Sequence, residues 1–393
     1  MFKKIVFACC VYLLSLGIIA QTNLTGILQE VEKNNKELQA FTSLMESKEL
    51  ELKSGNTLPD PQLGAYYLPL GEHNTGDYSE FQISQSFEFP TVYRARNRLI
   101  DSKVAKLNLD YALKRQEVLL AAQKYVYDLI ALNKRLNIEH QRVAQAKTLF
   151  DQVQELFRSE QVGILELNKA KIAWMKEQFK VQQLQNDRQN QLLLLQNLNG
   201  GEPINFSSTD YANDLVLAEK ESLWQEINAN DPKLRMVSNK EEVSNLEVSL
   251  SKNKSLPNLT AGYNYQGIAG SNYSGIYAGI SIPLWSNRHK VKAAQSKLEY
   301  QQSFGESQTM MAYADFEKRY NEYQVLLGKF QEYNSTLNGL NSDSLLLEAY
   351  NLGQISFMDY YVELQFYRQA FDAMLDMEKQ LNQLQAELLK HQL

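Results

Sequence analysis

Phe81, Ile83, Phe87 and Phe89 alternate with Gln82, Ser84, Ser86 and Glu88, so an extended chain through this stretch carries one apolar and one polar face. Pro90 stops the alternation. Beyond it run about seventy residues with neither Gly nor Pro, and the apolar period changes from two to helical. Ile100, Val104, Leu107, Tyr111, Val118, Ala122, Tyr125, Leu129, Leu132, Leu136, Val143, Ala146, Phe150, Val153 and Phe157 step by three, four or seven. That seam predicts one helix from about Arg94 to Arg158, roughly 98 Å long at 1.5 Å per residue. A returning arm from about Leu165 to Leu198 carries Leu167, Ala170, Trp174 and Leu184 on its seam.

The plan then recurs. "SFEFPTVYRAR" has a partner in "GISIPLWSNRHK", and "FRSEQVGILEL" has one in "YNLGQISFMDY", both at an offset of 193, which sets Pro90 on Pro283 and Glu160 on Gly353. "TLPDPQLGAYYL" resembles "SLPNLTAGYNYQ" at an offset of 198, so the copies differ by an indel between strands. Each half reads as helix, strand, loop, strand, long helix, turn, long helix. The boundaries expected are an export signal at 1–20, a first repeat at 21–200, a linker at 201–214 and a second repeat at 215–393. Helices near Leu24–Lys53 and Leu215–Lys254 correspond. The second long pair spans about Arg288–Leu352 and Phe357–Leu389, its first arm weakened by Gly305, Gly328 and Gly339.

Four strands thus fall in two hairpins. In the second hairpin Leu259, Ala261, Tyr263 and Tyr265 alternate with Thr260, Gly262, Asn264 and Gln266, and Ile276, Ala278, Ile280 and Ile282 alternate with Tyr277, Gly279 and Ser281. A small soluble sheet on helices would alternate in the same way. Aromatic residues on one face and Ser, Gln, Asn and Gly on the other favour staves of a membrane barrel, with Phe81, Ile83, Phe87, Phe89, Tyr263, Tyr265, Ile280 and Ile282 toward lipid. Four strands cannot close a barrel, and open edges are not tolerated in lipid. Three copies supply twelve strands and close it around a polar pore.

Composition narrows the setting. Lys3 and Lys4, the apolar run Ile5–Ile19 and Ala20 before Gln21 read as a secretory signal. Both cysteines, Cys9 and Cys10, lie within it, so the processed chain has no thiol and no cysteine metal ligand. Formal charge is −6, or −8 without Lys3 and Lys4, which argues against a nucleic-acid surface. No later segment has the continuous apolar length of a membrane helix.

The signal, the doubled plan, "LPDPQL", "SQSFEFPTVYRARNRL", "SLPNLTAGYNY", "ISIPLW" and the two helix turns together resemble the TolC-like outer-membrane factors, the exit ducts of tripartite efflux pumps and type I secretion systems. The resemblance covers essentially the whole processed chain. It implies a mainly α fold with a β-barrel portion: a homotrimer in the bacterial outer membrane, with a 12-stranded transmembrane β-barrel continued into the periplasm by a trimeric α-barrel of duplicated helical hairpins. It implies an inner-membrane pump and a periplasmic adaptor (membrane fusion) protein; "SQSFEFPTVYRAR" looks most like members serving heavy-metal pumps of the resistance-nodulation-division (RND) type, with drug efflux and type I secretion of peptides or proteins left open. In the family the turns at the tip dock on the adaptor, often through a Val-Gly-apolar element. This places docking on Val162, Gly163 and Ile164, and on Leu352, Gly353, Gln354 and Ile355. The repeat offset, however, sets Ser159-Glu160-Gln161 opposite Leu352-Gly353-Gln354, so the register of the first turn stays open. Gly163 and Gly353 also suit helix ends needing positive backbone dihedrals.

The resemblance also assigns an acidic tip constriction to Asp359, six residues after Gly353, with Glu166 as its first-repeat counterpart and Val362 where members often carry a second Asp. Helix capping is the alternative role for both acids. Catalysis has little support. His73, His140, His289 and His391 lie far apart, no nucleophile or phosphate-loop motif occurs, and no cofactor is expected. Met310-Met311 and Met374/Met377 are simplest as helix packing. The competing reading is a soluble periplasmic coiled-coil adaptor or envelope scaffold, which would show one helical hairpin and no duplication.

Overall fold

The computed structural model describes residues 24–69, 76–211, 214–340 and 342–393. The expected signal, His73 and most of the first strand loop lie outside these residues. Among them the order is α1 (Leu24–Asn34), α2 (Lys36–Ser54), β1 (Gln62–Leu68), β2 (Tyr78–Phe87), α3 (Pro90–Arg158), α4 (Ile164–Leu198), α5 (Lys220–Asn230), α6 (Pro232–Asn253), β3 (Asn258–Ile268), β4 (Ser271–Ser281), α7 (Lys290–Leu340), α8 (Ser342–Asn351) and α9 (Phe357–Leu388). The sequence helix–helix–strand–strand–long antiparallel helices therefore occurs twice.

The 69-residue α3 starts on Pro90, whose missing N–H and fixed φ suit a first helical turn, and runs about 100 Å. All fifteen seam positions are buried or half-buried. Two expected helices are divided. Asn35 interrupts the first; its side chain accepts from the Leu38 N–H to cap α2 and donates to the Leu198 carbonyl. Asp231 interrupts the second by accepting from the Lys233 N–H, with Pro232 at the first position of α6. The arm expected at Arg288–Leu352 is covered by α7 and α8, with residue 341 between them outside the described residues. α7 runs unbroken through Gly305 and Gly328 and ends one residue past Gly339.

One core joins α1, the middle of α3 and the end of α4 around Ile27, Val31, Val126, Leu129 and Leu195. Ile204 and Phe206, in the segment expected as a linker, belong to it. A second core joins α5, α6, α7 and the end of α9 around Leu223, Phe316, Tyr323 and Leu381. Between the main core and the α3–α4 turn lies a buried polar layer. Arg142 donates to Glu139 (2.6 Å) and Asp372 (2.9 Å), and Arg368 donates to Glu177 (3.2 Å) and Gln145 (2.9 Å), tying α9 to both arms of the α3–α4 pair.

The strands form one antiparallel sheet in the order β1-β2-β3-β4. All four helical connections leave from the end that holds Gln62, Phe87, Asn258 and Ser281. A single chain thus supplies an open four-stranded sheet with β1 and β4 as free edges, and the barrel expected from the sequence is not a property of one chain.

Candidate functional site: the sheet and the tip turns

Register fixes which strand residues share a face. Phe81 pairs with Tyr265, Ile83 with Tyr263 and Phe87 with Leu259; Tyr263 in turn pairs with Ile276 and Leu259 with Ile280. Leu63 and Ala65 of β1 extend the same face through Ile83 and Phe81. This face is left open to the outside: Ile276 is 90% and Ile280 69% exposed. Phe89 and Ile282, grouped with these residues by their alternation, lie beyond the strand ends. β2 stops at Phe87 because Phe89 already occupies the N-cap position of α3, and β4 stops at Ser281 ahead of Pro283.

The opposite face is polar. Gln82 donates to the Tyr277 hydroxyl (2.6 Å), and Tyr78 donates to Glu80 (2.5 Å). The Tyr277 ring lies across Gly262, its direct cross-strand partner, and a Cβ there would fall 2.4 Å from the ring. Only Gly permits that approach. Glu80 is the one Asp, Glu, Lys or Arg in the four strands, an isolation that sequence reading passed over although the alternation exposes it.

At the opposite pole of the molecule are the α3–α4 and α8–α9 turns. Glu160 holds φ 59° and Gly353 φ 68°, while Gly163 is ordinary extended backbone at φ −84°, ψ 167°. The positive dihedral expected at Gly163 therefore sits at Glu160. In the first turn the N–H groups of Ser159, Glu160 and Gln161 donate to the carbonyls of Glu155, Phe157 and Leu156. In the second, Leu352, Gly353 and Gln354 donate to Glu348, Tyr350 and Ala349. Every pair differs by 193, so both turns are the same Schellman-type stop and Ser159-Glu160-Gln161 is the geometric equivalent of Leu352-Gly353-Gln354. By the same offset Val162 matches Ile355, and Gly163 matches Ser356, the N-cap of α9 (φ −72°, ψ 162°).

Val162, Gly163, Glu166, Gly353 and Ile355 share a cleft of about 930 Å³ between the turns, lined also by Tyr350 and Phe357. Ile164, Leu352, Gln354 and Asp359 lie outside its lining and are exposed. Asp359 closes a capping box: its carboxylate accepts from the Ser356 hydroxyl (2.6 Å) and backbone N–H (3.3 Å), while its own N–H donates to the Ser356 hydroxyl (3.2 Å). Glu166 stands at the matching third position of α4, where Gly163 offers no side chain for the reciprocal bond. An aromatic group behind the second turn, Tyr350 against Phe357 and Tyr360, was not singled out from sequence; burial pushes the Tyr350 phenol up.

Among the described residues no helix is long and apolar enough to cross a membrane, and no group of three or more His, Cys, Asp or Glu stands ready to hold a metal. No protein-family model and no curated protein sequence matches the chain. Solved structures do. CusC, described in connection with folding and transmembrane channel formation, superposes with a TM-score of 0.76 at 14% identity over 95% of this chain and 92% of its own. The outer membrane protein VceC of Vibrio cholerae gives 0.75 at 13% over 94% and 95%. The CmeC outer membrane channel of Campylobacter jejuni gives 0.68 at 16% over 94% and 85%. Over nearly its whole length, this chain has the fold of the TolC-like outer-membrane channels.

Proposed function

We propose that the chain is the outer-membrane exit duct of a tripartite efflux system, a passive conduit and not an enzyme. The observation that carries this reading is the sheet: two-faced, with two unpaired edges, at one end of a helical rod about 100 Å long. An isolated sheet of this kind presents two open ladders, which water tolerates and lipid does not. Closure by further copies removes both edges at once, turns the open apolar face to lipid and makes the Glu80–Gln82–Tyr277 face the pore wall.

The helices give independent support for a ring. α4 carries a second stripe, Leu165, Ile172, Met175 and Phe179, each more than half exposed at spacings of seven, three and four. α7 and α8 expose Met310, Val325 and Leu345. Two unlike apolar surfaces on one chain make a head-to-tail contact, which closes into a ring when the rotation permits. Three copies meet the twelve strands expected, built from the repeats at 21–200 and 215–393.

In this assembly the tip turns face the periplasm. The adaptor docks on Val162, Gly163, Ile164, Leu352, Gly353, Gln354 and Ile355, and Asp359, with Glu166 beside it, narrows the tip around the three-fold axis. The pump is of the RND type, with metal ions or drugs as cargo. Envelope fractionation tests the reading: a particle released only by detergent from the outer membrane, with three chains by light scattering corrected for bound detergent, supports it. A monomer recovered from the periplasm without detergent overturns it in favour of a coiled-coil scaffold.

A further inference from the structure

The helices that leave the sheet begin with the wrong charge. A helix N-terminus carries a partial positive charge and favours Asp or Glu in its first turn, yet α3 and α7 have no acid there. Arg94 and Arg98 follow in the second and third turns of α3, and Arg288, Lys290 and Lys292 surround the start of α7; all five are exposed. No ion pair engages them among the described residues, whereas neighbouring Arg96 is held by Glu88 and Asn56. Lys252 and Lys254, at the end of α6, sit where the dipole welcomes a cation and need no further account. Asp60, between α2 and β1, and Asp101, three residues beyond Arg98 on α3, are exposed acids with no ion pair to these bases among the described residues.

These five bases adjoin an apolar surface continuous with the outer face of the sheet. Past the end of β4, Ile282, Leu284 and Trp285 are 64%, 68% and 80% exposed. Asn287 donates to the Lys254 carbonyl (2.5 Å), and Asn56 donates to the Tyr93 carbonyl (3.3 Å), so both strand-to-helix crossings are pinned at the level where α2 and α6 end. At 1.5 Å per residue Arg94 and Arg98 lie about 6 and 12 Å below Pro90, a depth that long Arg side chains span by reaching upward. An indole beside exposed aliphatics, with cations up to about 12 Å further from the sheet, matches the order of layers at a bilayer surface: acyl chain, interface, phosphate.

We infer that this collar binds the phosphates of anionic phospholipids in the periplasmic leaflet, with Trp285 seated at the interface and Arg94, Arg98, Arg288, Lys290 and Lys292 pairing with headgroups. The inference rests on the outer-membrane reading above. Its occupant is chosen by charge complementarity and by continuity with the apolar sheet face. Lipid pairing also explains why the N-terminal turns forgo the acids that an isolated helix would select.

The test uses the full-length, detergent-purified trimer, stripped of lipid and titrated with phosphatidylglycerol or phosphatidylcholine at 50 mM and 500 mM NaCl, with bound lipid counted by native mass spectrometry. A preference of about tenfold or more for phosphatidylglycerol at low salt, reduced at high salt, is expected. It should fall to near unity in R94Q/R98Q/R288Q/K290Q/K292Q. Equal binding of the two lipids by the wild type, or an unchanged preference in the variant, overturns the inference. Should the variant not assemble, the salt dependence of the wild type decides alone. Competition by millimolar inorganic phosphate would mark a free-anion site and also overturn it. A trimer that conducts ions yet ignores lipid charge refutes the collar only; a water-soluble monomer refutes the duct and the collar together.

Discussion

The two tip turns share one geometry and differ in the residue that bears its strain, which allows a reciprocal test. Gly353 occupies φ 68° with nothing within 4 Å of the position a Cβ would take, so Gly353→Ala is penalised by backbone conformation alone. Glu160 holds φ 59° as an L-residue and already bears that penalty. Left-handed backbone costs an L-residue about 1–2 kcal/mol, and the greater freedom of Gly in the opened chain returns about 0.5–1. Gly353→Ala should therefore destabilise the second turn by about 0.5–1 kcal/mol, and Glu160→Gly should stabilise the first by the same amount. Local opening rates scale accordingly, by about two- to fivefold. Hydrogen–deuterium exchange of peptides covering 155–167 and 348–360 reads both, because the amides of Gln161 and Gln354 donate across the turns to Leu156 and Ala349 at 2.8 and 2.9 Å. Gly163→Ala is the control: at φ −84° it carries no left-handed penalty, and its Cβ would meet only the mobile end of Glu166. Faster exchange in Glu160→Gly, or a loss in Gly163→Ala equal to that in Gly353→Ala, would refute the assignment of strain.

Other perturbations separate the remaining roles. Asp359→Ala and Ser356→Ala each open the capping box and should loosen the first turn of α9 by about 1 kcal/mol by the same exchange measurement; if Asp359 also lines the constriction, only Asp359→Ala changes cation selectivity in planar bilayers. Arg368→Met strands Glu177, whose side chain is 6% exposed, and should cost about 3–5 kcal/mol in thermal stability, with much of that restored in the Arg368→Met/Glu177→Met double variant. Tyr323 is fully buried with an unpartnered hydroxyl, so Tyr323→Phe should be neutral or stabilising. Burial pushes the Tyr323 phenol up to about 12, so the folded state keeps a proton that the unfolded state releases near pH 10. Stability therefore falls as pH rises between these values, and the melting temperature of the Phe variant should decline less steeply there.

What could be read from sequence was what repeats locally. Period-two alternation located the sheet face, and steps of three, four and seven located the α3 seam, because both signals are carried by residues within a few positions of one another. The offset of 193 likewise predicted the equivalence of Glu160 and Gly353. The buried polar layer had no such signature. Arg368 meets Glu177 and Gln145 across separations of 191 and 223 residues, and along the chain each resembles any solvated charge on a helix. The α4 stripe of Leu165, Ile172 and Phe179 was readable at a spacing of seven but lay among exposed Gln, Asn and Lys that suggested a purely solvated face. Breaks at Asn35 and Asp231 were masked for another reason: a capping side chain and a continued apolar period look alike until the backbone is seen to turn.

The matched turns bear on how an adaptor would engage the tip. A docking element defined by Val-Gly-apolar spacing selects Val162-Gly163-Ile164, three residues beyond the geometric counterpart of Leu352-Gly353-Gln354. If docking follows backbone shape, the two turns offer the partner matching left-handed stops at Glu160 and Gly353, flanked by different side chains, Ser159 and Val162 in one and Leu352 and Ile355 in the other. If it follows side-chain type, the two turns are engaged in different registers. A charge reversal distinguishes these cases. Glu160→Lys reverses the charge at the left-handed stop and leaves the apolar residues Val162 and Ile164 in place, so docking centred on the stop at Glu160 predicts a strong and salt-sensitive change in adaptor affinity. Docking through Val162-Gly163-Ile164 predicts little change from Glu160→Lys and a large loss from Ile164→Ser, at a residue that the structure leaves 51% exposed.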